Sequence, residues 1–265
     1  MTNQNMTDAE KAIRSAFAGG KAFIPFITCG DPDLETTAKL VPAMAQAGAD
    51  LIELGIPFSD PTAEGPVIQE ADLRALNAGT TTDKVFALTE KLRRETDVPF
   101  VYMTYANVIF SYGSERFCKR AAEAGVSGII VPDCPYEERA EFAEACKKAG
   151  IVQIFMIAPT SHDRIKAIAS DAKGFLYCVS SLGVTGTRAK ITTNIKGMVD
   201  VVRQVSDIPC AVGFGISTHE QAREMASQSD GAIVGSAIVK LIAKHGTESP
   251  EPVTAFVKSM KDALR

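Results

Sequence analysis

Eight short apolar runs, separated by segments of helical periodicity, constrain the fold more than any other feature of the chain. They are FIPFIT (23–28), LIEL (51–54), FVYMTY (100–105), GIIVP (128–132), IVQIFMIA (151–158), FLYCVS (175–180), IPCAVGF (208–214) and GAIVG (231–235). Runs of this kind, rich in β-branched residues and apolar on both faces, suit strands of a parallel sheet covered by helices. Between them, 36–47 places Ala38, Leu40, Val41, Met44 and Ala45 at helical spacing and stops at Gly48. Segment 82–94 puts Val85, Leu88 and Leu92 on one face, and a stretch from about 192 to 206 leads into the seventh run. Segments 114–124 and 137–149 stop at Gly125 and Gly150. Glycine just past a helix end is a favoured left-handed cap, so AGAD, AGVS and AGIV each read as a helix stopping before a strand. Residues 7–18 read as an extra N-terminal helix and 251–265 as a terminal one.

Eight strand–helix units favour closure into a (β/α)8 TIM barrel of the α/β class; a doubly wound open sheet is the alternative. No repeat, low-complexity tract or linker interrupts the 265 residues, so 1–265 reads as a single barrel domain. The net charge of −4, with no Lys/Arg run, argues against nucleic acid or an anionic membrane as a partner. No apolar stretch approaches the roughly 18 residues of a membrane span, and the N-terminus lacks a signal-peptide core. Cys29, Cys118, Cys134, Cys146, Cys178 and Cys210 are scattered without a CxxC pair, as expected of buried or inert thiols in a reducing cytoplasm.

Barrels carry their chemistry at the C-terminal ends of the strands and in the loops that follow. Glu53, near the end of the second run, is the only Asp, Glu, Lys or Arg within the eight runs. A lone carboxyl among apolar neighbours is costly to ionise, so its pKa is expected to rise into the range useful for acid–base work. The alternative is a structural acid hydrogen-bonded to backbone. The loop IPFSDPTAEGPVIQ follows, with Pro66 suited to the first turn of a helix running to Gly79. Its acids, Asp60 and Glu64, could serve a site, cap that helix or sit solvated. The last loops are glycine-rich: GFGIS (213–217) after the seventh run, GSAIV (235–239) after the eighth, opening a helix, and GVTGT (183–187) after the sixth. Glycines admit close backbone approach and a helix N-terminus favours an anion, so these loops suit a phosphate; the bland reading is tight turns without a ligand. No Walker lysine accompanies them, which suggests a small phosphorylated metabolite.

Several chemistries lack their residues. No Lys lies in the runs to form a Schiff base. His162, His219 and His245 have no metal-ligand spacing, so no metal is expected, and no GxSxG is present. Acid–base chemistry on a phosphorylated substrate with its own electron sink remains.

ELGIPFSDPTAEGPVIQ, PFITCGDP (25–32), YANVIF (105–110), GVTGTR (183–188), VGFGIS (212–217) and GSAIV, in order along nearly the whole chain, together resemble the tryptophan synthase alpha subunit family. The resemblance implies a (β/α)8 lyase that cleaves indole-3-glycerol phosphate to indole and glyceraldehyde 3-phosphate in tryptophan biosynthesis. It implies that Glu53 is the acid/base at indole C3 and the glycerol hydroxyl, and that Glu64 is the second catalytic carboxylate, holding the indole N–H. Phe26, Tyr105, Tyr177 and Phe214 match positions around the indole pocket; Gly186, Gly215, Gly235 and Ser236 match the phosphate-binding backbone. Asp60 and Thr185 lie in loops matching those that close the site and communicate with a partner, and Thr185 is grouped with the substrate-binding residues. The sequence departs from the pattern at Glu64, where Asp is expected; one more methylene moves the carboxylate by roughly 1.5 Å unless the loop adjusts. The implied partner is a beta subunit carrying pyridoxal phosphate, in an alpha2beta2 tetramer, with no cofactor on this chain. The alternatives are a free-standing indole-releasing lyase and a non-catalytic phosphate-binding barrel that activates beta.

Overall fold

The computed structural model describes residues 6–180, 185–186 and 193–265. Helix α1 (Asp8–Ser15) opens the chain, capped by the Thr7 side chain accepting from the Glu10 amide. Then follow β1 (Ala22–Thr28), α2 (Leu34–Gln46), β2 (Ile52–Gly55), α3 (Pro66–Asn77), α4 (Thr82–Leu92), β3 (Phe100–Met103), α5 (Ala106–Tyr112) and α6 (Ser114–Glu123). The second half comprises β4 (Val126–Ile130), α7 (Ala140–Ala149), β5 (Val152–Ile157), α8 (His162–Asp171), β6 (Leu176–Val179), α9 (Ile195–Arg203), β7 (Cys210–Gly213), α10 (His219–Ser227), β8 (Gly231–Val234), α11 (Ser236–His245) and α12 (Pro250–Ala263).

The strands pair in sequence order, all parallel, and β8 returns to β1, so the sheet is a closed barrel and the open doubly wound alternative falls. All eight apolar runs are strands. Gly125 and Gly150 do take positive φ, +83° and +78°, as caps after α6 and α7. The boundaries shift in places. Strand β4 starts two residues before its run, and the 137–149 segment divides into a 3-10 turn at Tyr136–Glu138 and α7. Of GVTGT only Thr185 and Gly186 lie within the described residues, as does the stretch leading to β7 from 193 onward.

Alternation along the strands separates two apolar layers. Ile52, Leu54, Phe100, Tyr102 and Ile129 face the helices, whereas Ile24, Phe26, Leu51, Val101, Met103, Ile154, Tyr177 and Ile233 fill the barrel. Helix α1 closes the base: its Ile13 belongs to the interior layer and is fully buried, and a Cβ built on Gly128 or Gly174 would meet it at 3.3 or 3.1 Å. Outside, Tyr102 of β3 packs with Phe86 of α4 and Phe117 of α6 and donates its hydroxyl to Thr89 at 2.7 Å. Burying each such ring contributes about 2–3 kcal/mol, so this face anchors β3 beside β2.

Candidate active site

Strand alternation turns Glu53 inward one layer above Leu51, at the level of Phe26 on β1 and Val101 on β3. Only 1% of Glu53 is exposed, and its Oε2 has no hydrogen-bond partner, so the reading of a structural acid satisfied by backbone does not hold. Burial, and after it the charge of Glu64, pushes the Glu53 carboxyl up to about 8. At neutral pH it therefore carries a proton that it can give.

Glu64 is neither solvated nor a helix cap. It is 4% exposed, and Gly65, which lends no side chain, sits at the N-cap of α3 before Pro66. The Thr185 hydroxyl donates to Glu64 Oε2 at 2.5 Å and accepts from the Gly65 amide at 2.9 Å. The Thr185 amide donates to the Ala63 carbonyl at 3.2 Å, and Gln69 Nε2 to the Glu64 carbonyl at 2.7 Å. These bonds sew the loop after β2 to the one after β6, across more than a hundred residues of chain. Burial raises the Glu64 carboxyl above its ordinary value, opposed by the Thr185 hydroxyl, which favours the anion. The longer side chain thus still reaches the site, because Thr185 holds its end.

The two carboxyl groups line one cleft, open at the barrel mouth. Phe26, Tyr177, Phe214, Thr185, Gly186, Gly215, Gly235 and Ser236, which the resemblance groups as substrate-binding, all line it. Tyr177 meets Phe214 edge to face with ring centroids 6.1 Å apart. A Cβ on Gly213 would lie 2.2 Å from the Tyr177 hydroxyl oxygen, so this glycine is needed for the ring to lie flat on β7. At the far wall, α11 begins at Ser236 after Gly235, with no side-chain cap, leaving its first turn open to an anion.

Two residues sit elsewhere. Tyr105 does not line the cleft; its hydroxyl accepts from the Ala63 amide at 3.1 Å and its ring stacks on Phe58 at 5.4 Å, so it supports the Glu64 loop from outside. Asp60 is exposed and bonded to the neighbouring Ser59 hydroxyl. The sequence reading missed Ile68, Met103, Ile216 and Ile233, which complete the apolar wall. For Met103 and Ile233, strand alternation was a usable signal; for Ile68 and Ile216, only the fold reveals it. His162 and His219 open α8 and α10 and His245 ends α11, and among the described residues no group of three His, Cys, Asp or Glu could hold a metal.

A buried proton donor, a second carboxylate, an apolar slot and an open helix N-terminus can together act on a flat aromatic substrate with a phosphate tail. Comparison with known proteins agrees. The family model described as Tryptophan synthase alpha chain matches residues 14–265. The chain is 49% identical over 252 residues to the tryptophan synthase alpha chain of Lacticaseibacillus casei, covering 95% of each. Among solved structures, tryptophan synthase of Mycobacterium tuberculosis superposes with a TM-score of 0.88 at 31% identity, covering 98% of this chain and 99% of the other. The alpha chain of Legionella pneumophila gives 0.86 at 35%, covering 98% and 97%. By fold, site and sequence, the chain belongs to the tryptophan synthase alpha chain family.

Proposed function

We propose that the chain cleaves indole-3-glycerol phosphate to indole and glyceraldehyde 3-phosphate, as the lyase subunit of tryptophan synthase in tryptophan biosynthesis. One observation carries the reading: an unpartnered, protonated Glu53 shares an apolar cleft with a Glu64 held by Thr185. Glu53 gives its proton to C3 of the indole. The ring nitrogen becomes cationic, and the Glu64 carboxylate accepts its N–H and stabilises the charge. Glu53, now a carboxylate, takes the proton of the hydroxyl on the carbon attached to C3. The carbon–carbon bond breaks, its electrons return to the ring nitrogen, and the aldehyde leaves. Glu53 ends protonated, so one residue serves both steps. The indole ring is its own electron sink, so the chain is proposed to work without a cofactor.

Phe26, Tyr177 and Phe214 would sandwich the ring, and the amides at Gly215, Gly235 and Ser236 would hold the phosphate at the start of α11. Membership of the family supports a beta subunit as partner; its pyridoxal phosphate, and an alpha2beta2 assembly, belong to the proposal. Among the described residues no helix is long and apolar enough to cross a membrane.

Indole release from the phosphate ester by the purified chain, alone and with a beta subunit, tests the reading. Slow release that rises sharply with beta is expected. Fast release unaffected by beta would leave a free-standing lyase, and none in either condition would leave a phosphate-binding barrel.

A further inference from the structure

Among the described residues the mechanism leaves three buried acids unused: Glu10 and Asp31, each beside an arginine, and Asp72. Asp72 lies on the inner face of α3 with Ile68, Ala71 and Ala75, and is 5% exposed. It accepts the Thr28 hydroxyl at 3.2 Å, from the last residue of β1, and lies beside the backbone of Phe58, in the loop that carries Glu64. Asp72 thus sits where three pieces meet: β1, the loop after β2, and α3. The charged groups facing it are Glu64 in that loop and Asp31 in the loop after β1, with the Tyr105 phenol just before α5. Arg74, two residues on along the chain, is already engaged: it gives both Nε and Nη2 to Asp31, at 2.7 and 2.9 Å.

We propose that Asp72 is a positioning residue of the cleavage: as a neutral acid it ties the Glu64 loop to β1, and its ionisation sets a second anion against Glu64 and drives the two carboxylates apart. The proposal rests on the lyase reading. Burial and then the charge of Glu64 push Asp72 up to about 8, so Asp72 keeps its proton at neutral pH. Two acids, Glu53 and Asp72, must then be protonated in the working enzyme.

The test is the pH profile of indole release by the complex with beta, for wild type, Asp72→Asn and Asp72→Ala. Asn keeps the shape and can meet Thr28, but cannot ionise. Its kcat near neutral pH is expected within about threefold of wild type, since the native residue is neutral there. Beyond both ionisations, wild type should fall about 100-fold per pH unit and Asp72→Asn about tenfold, because one ionisation has been removed. Asp72→Ala, lacking the bond to Thr28, should lose about tenfold in kcat at every pH with KM little changed. Urea melts add a readout independent of activity. An acid with a raised folded pKa stabilises fully below its unfolded value and loses that contribution as pH rises, so the Asn variant should gain on wild type from about pH 4 to about pH 8. Superimposable alkaline limbs, or melts that differ equally at all pH, would overturn the role of Asp72 alone. A wild-type complex that releases no indole would overturn the lyase reading and this role with it.

Discussion

Replacing Glu53 with Gln separates what the residue does for chemistry from what it does to the fold. Gln has nearly the same shape but transfers no proton. Since Glu53 serves as donor and then acceptor, its loss should lower kcat about 10³-fold, or about 4 kcal/mol of barrier, with KM changed little. Stability should move the other way. Folding at pH 7 holds a proton on a carboxyl that ionises near 4.5 in the unfolded chain, which at about 1.4 kcal/mol per pH unit costs about 3 kcal/mol. The Gln amide leaves a buried N–H2 short of partners and costs about 1–2 kcal/mol at any pH. Because the folded carboxyl is raised, the penalty in wild type is absent below 4.5 and grows until about 8. The variant is therefore expected to be less stable than wild type near pH 5 and more stable by about 3 kcal/mol near pH 8, with the two curves crossing near pH 6. Indole release and urea midpoints across this range measure both halves. Retained cleavage would remove Glu53 from the mechanism, and melts that run parallel with pH would refute its raised pKa.

Wild-type kcat should follow a bell-shaped profile, with an alkaline limb beginning near 8 as Glu53 ionises and an acid limb above the ordinary Glu range as Glu64 gains a proton. Stopped assays of indole release across the range check both limbs. Thr185→Val removes the hydroxyl that holds Glu64 and raises that carboxyl further; kcat should fall about 10- to 100-fold and the acid limb should move upward. Gly213→Ala forces a methyl against the buried Tyr177 ring and should lower stability by about 1–3 kcal/mol, read as a lower urea midpoint; an unchanged midpoint would refute the packing.

The barrel was legible because every strand but β5 is buried on both faces, which leaves a continuous apolar run, and because glycine marks where α6 and α7 stop. Glu53 was legible for the same reason: a single acid stands out against such a run. Helices α5, α8 and α10 were not separately assigned, since a helix soon after a strand, as α5 follows β3, offers little break in composition to read. Asp60 and Glu64 looked alike, four residues apart in one loop; only Thr185, supplied from beyond β6, takes one inward and leaves the other in solvent. Tyr105 matched a pocket motif, but β3 ends at Met103, so the residue points to the Glu64 loop rather than into the cleft. Asp72 passed unnoticed because an acid on an amphipathic helix normally faces water, and nothing local marks it as facing β1.

The seating of Ile13 under the barrel has a consequence for traffic. With Leu51 and Ile24 packed beneath Glu53 and α1 sealing the base, the cleft is a blind alley among the described residues. Indole freed beside Glu53 has no rear exit and must depart by the doorway through which the phosphate ester arrived. Whatever stands at that doorway decides where the product goes: open water lets it diffuse away, whereas a docked neighbour becomes its only destination.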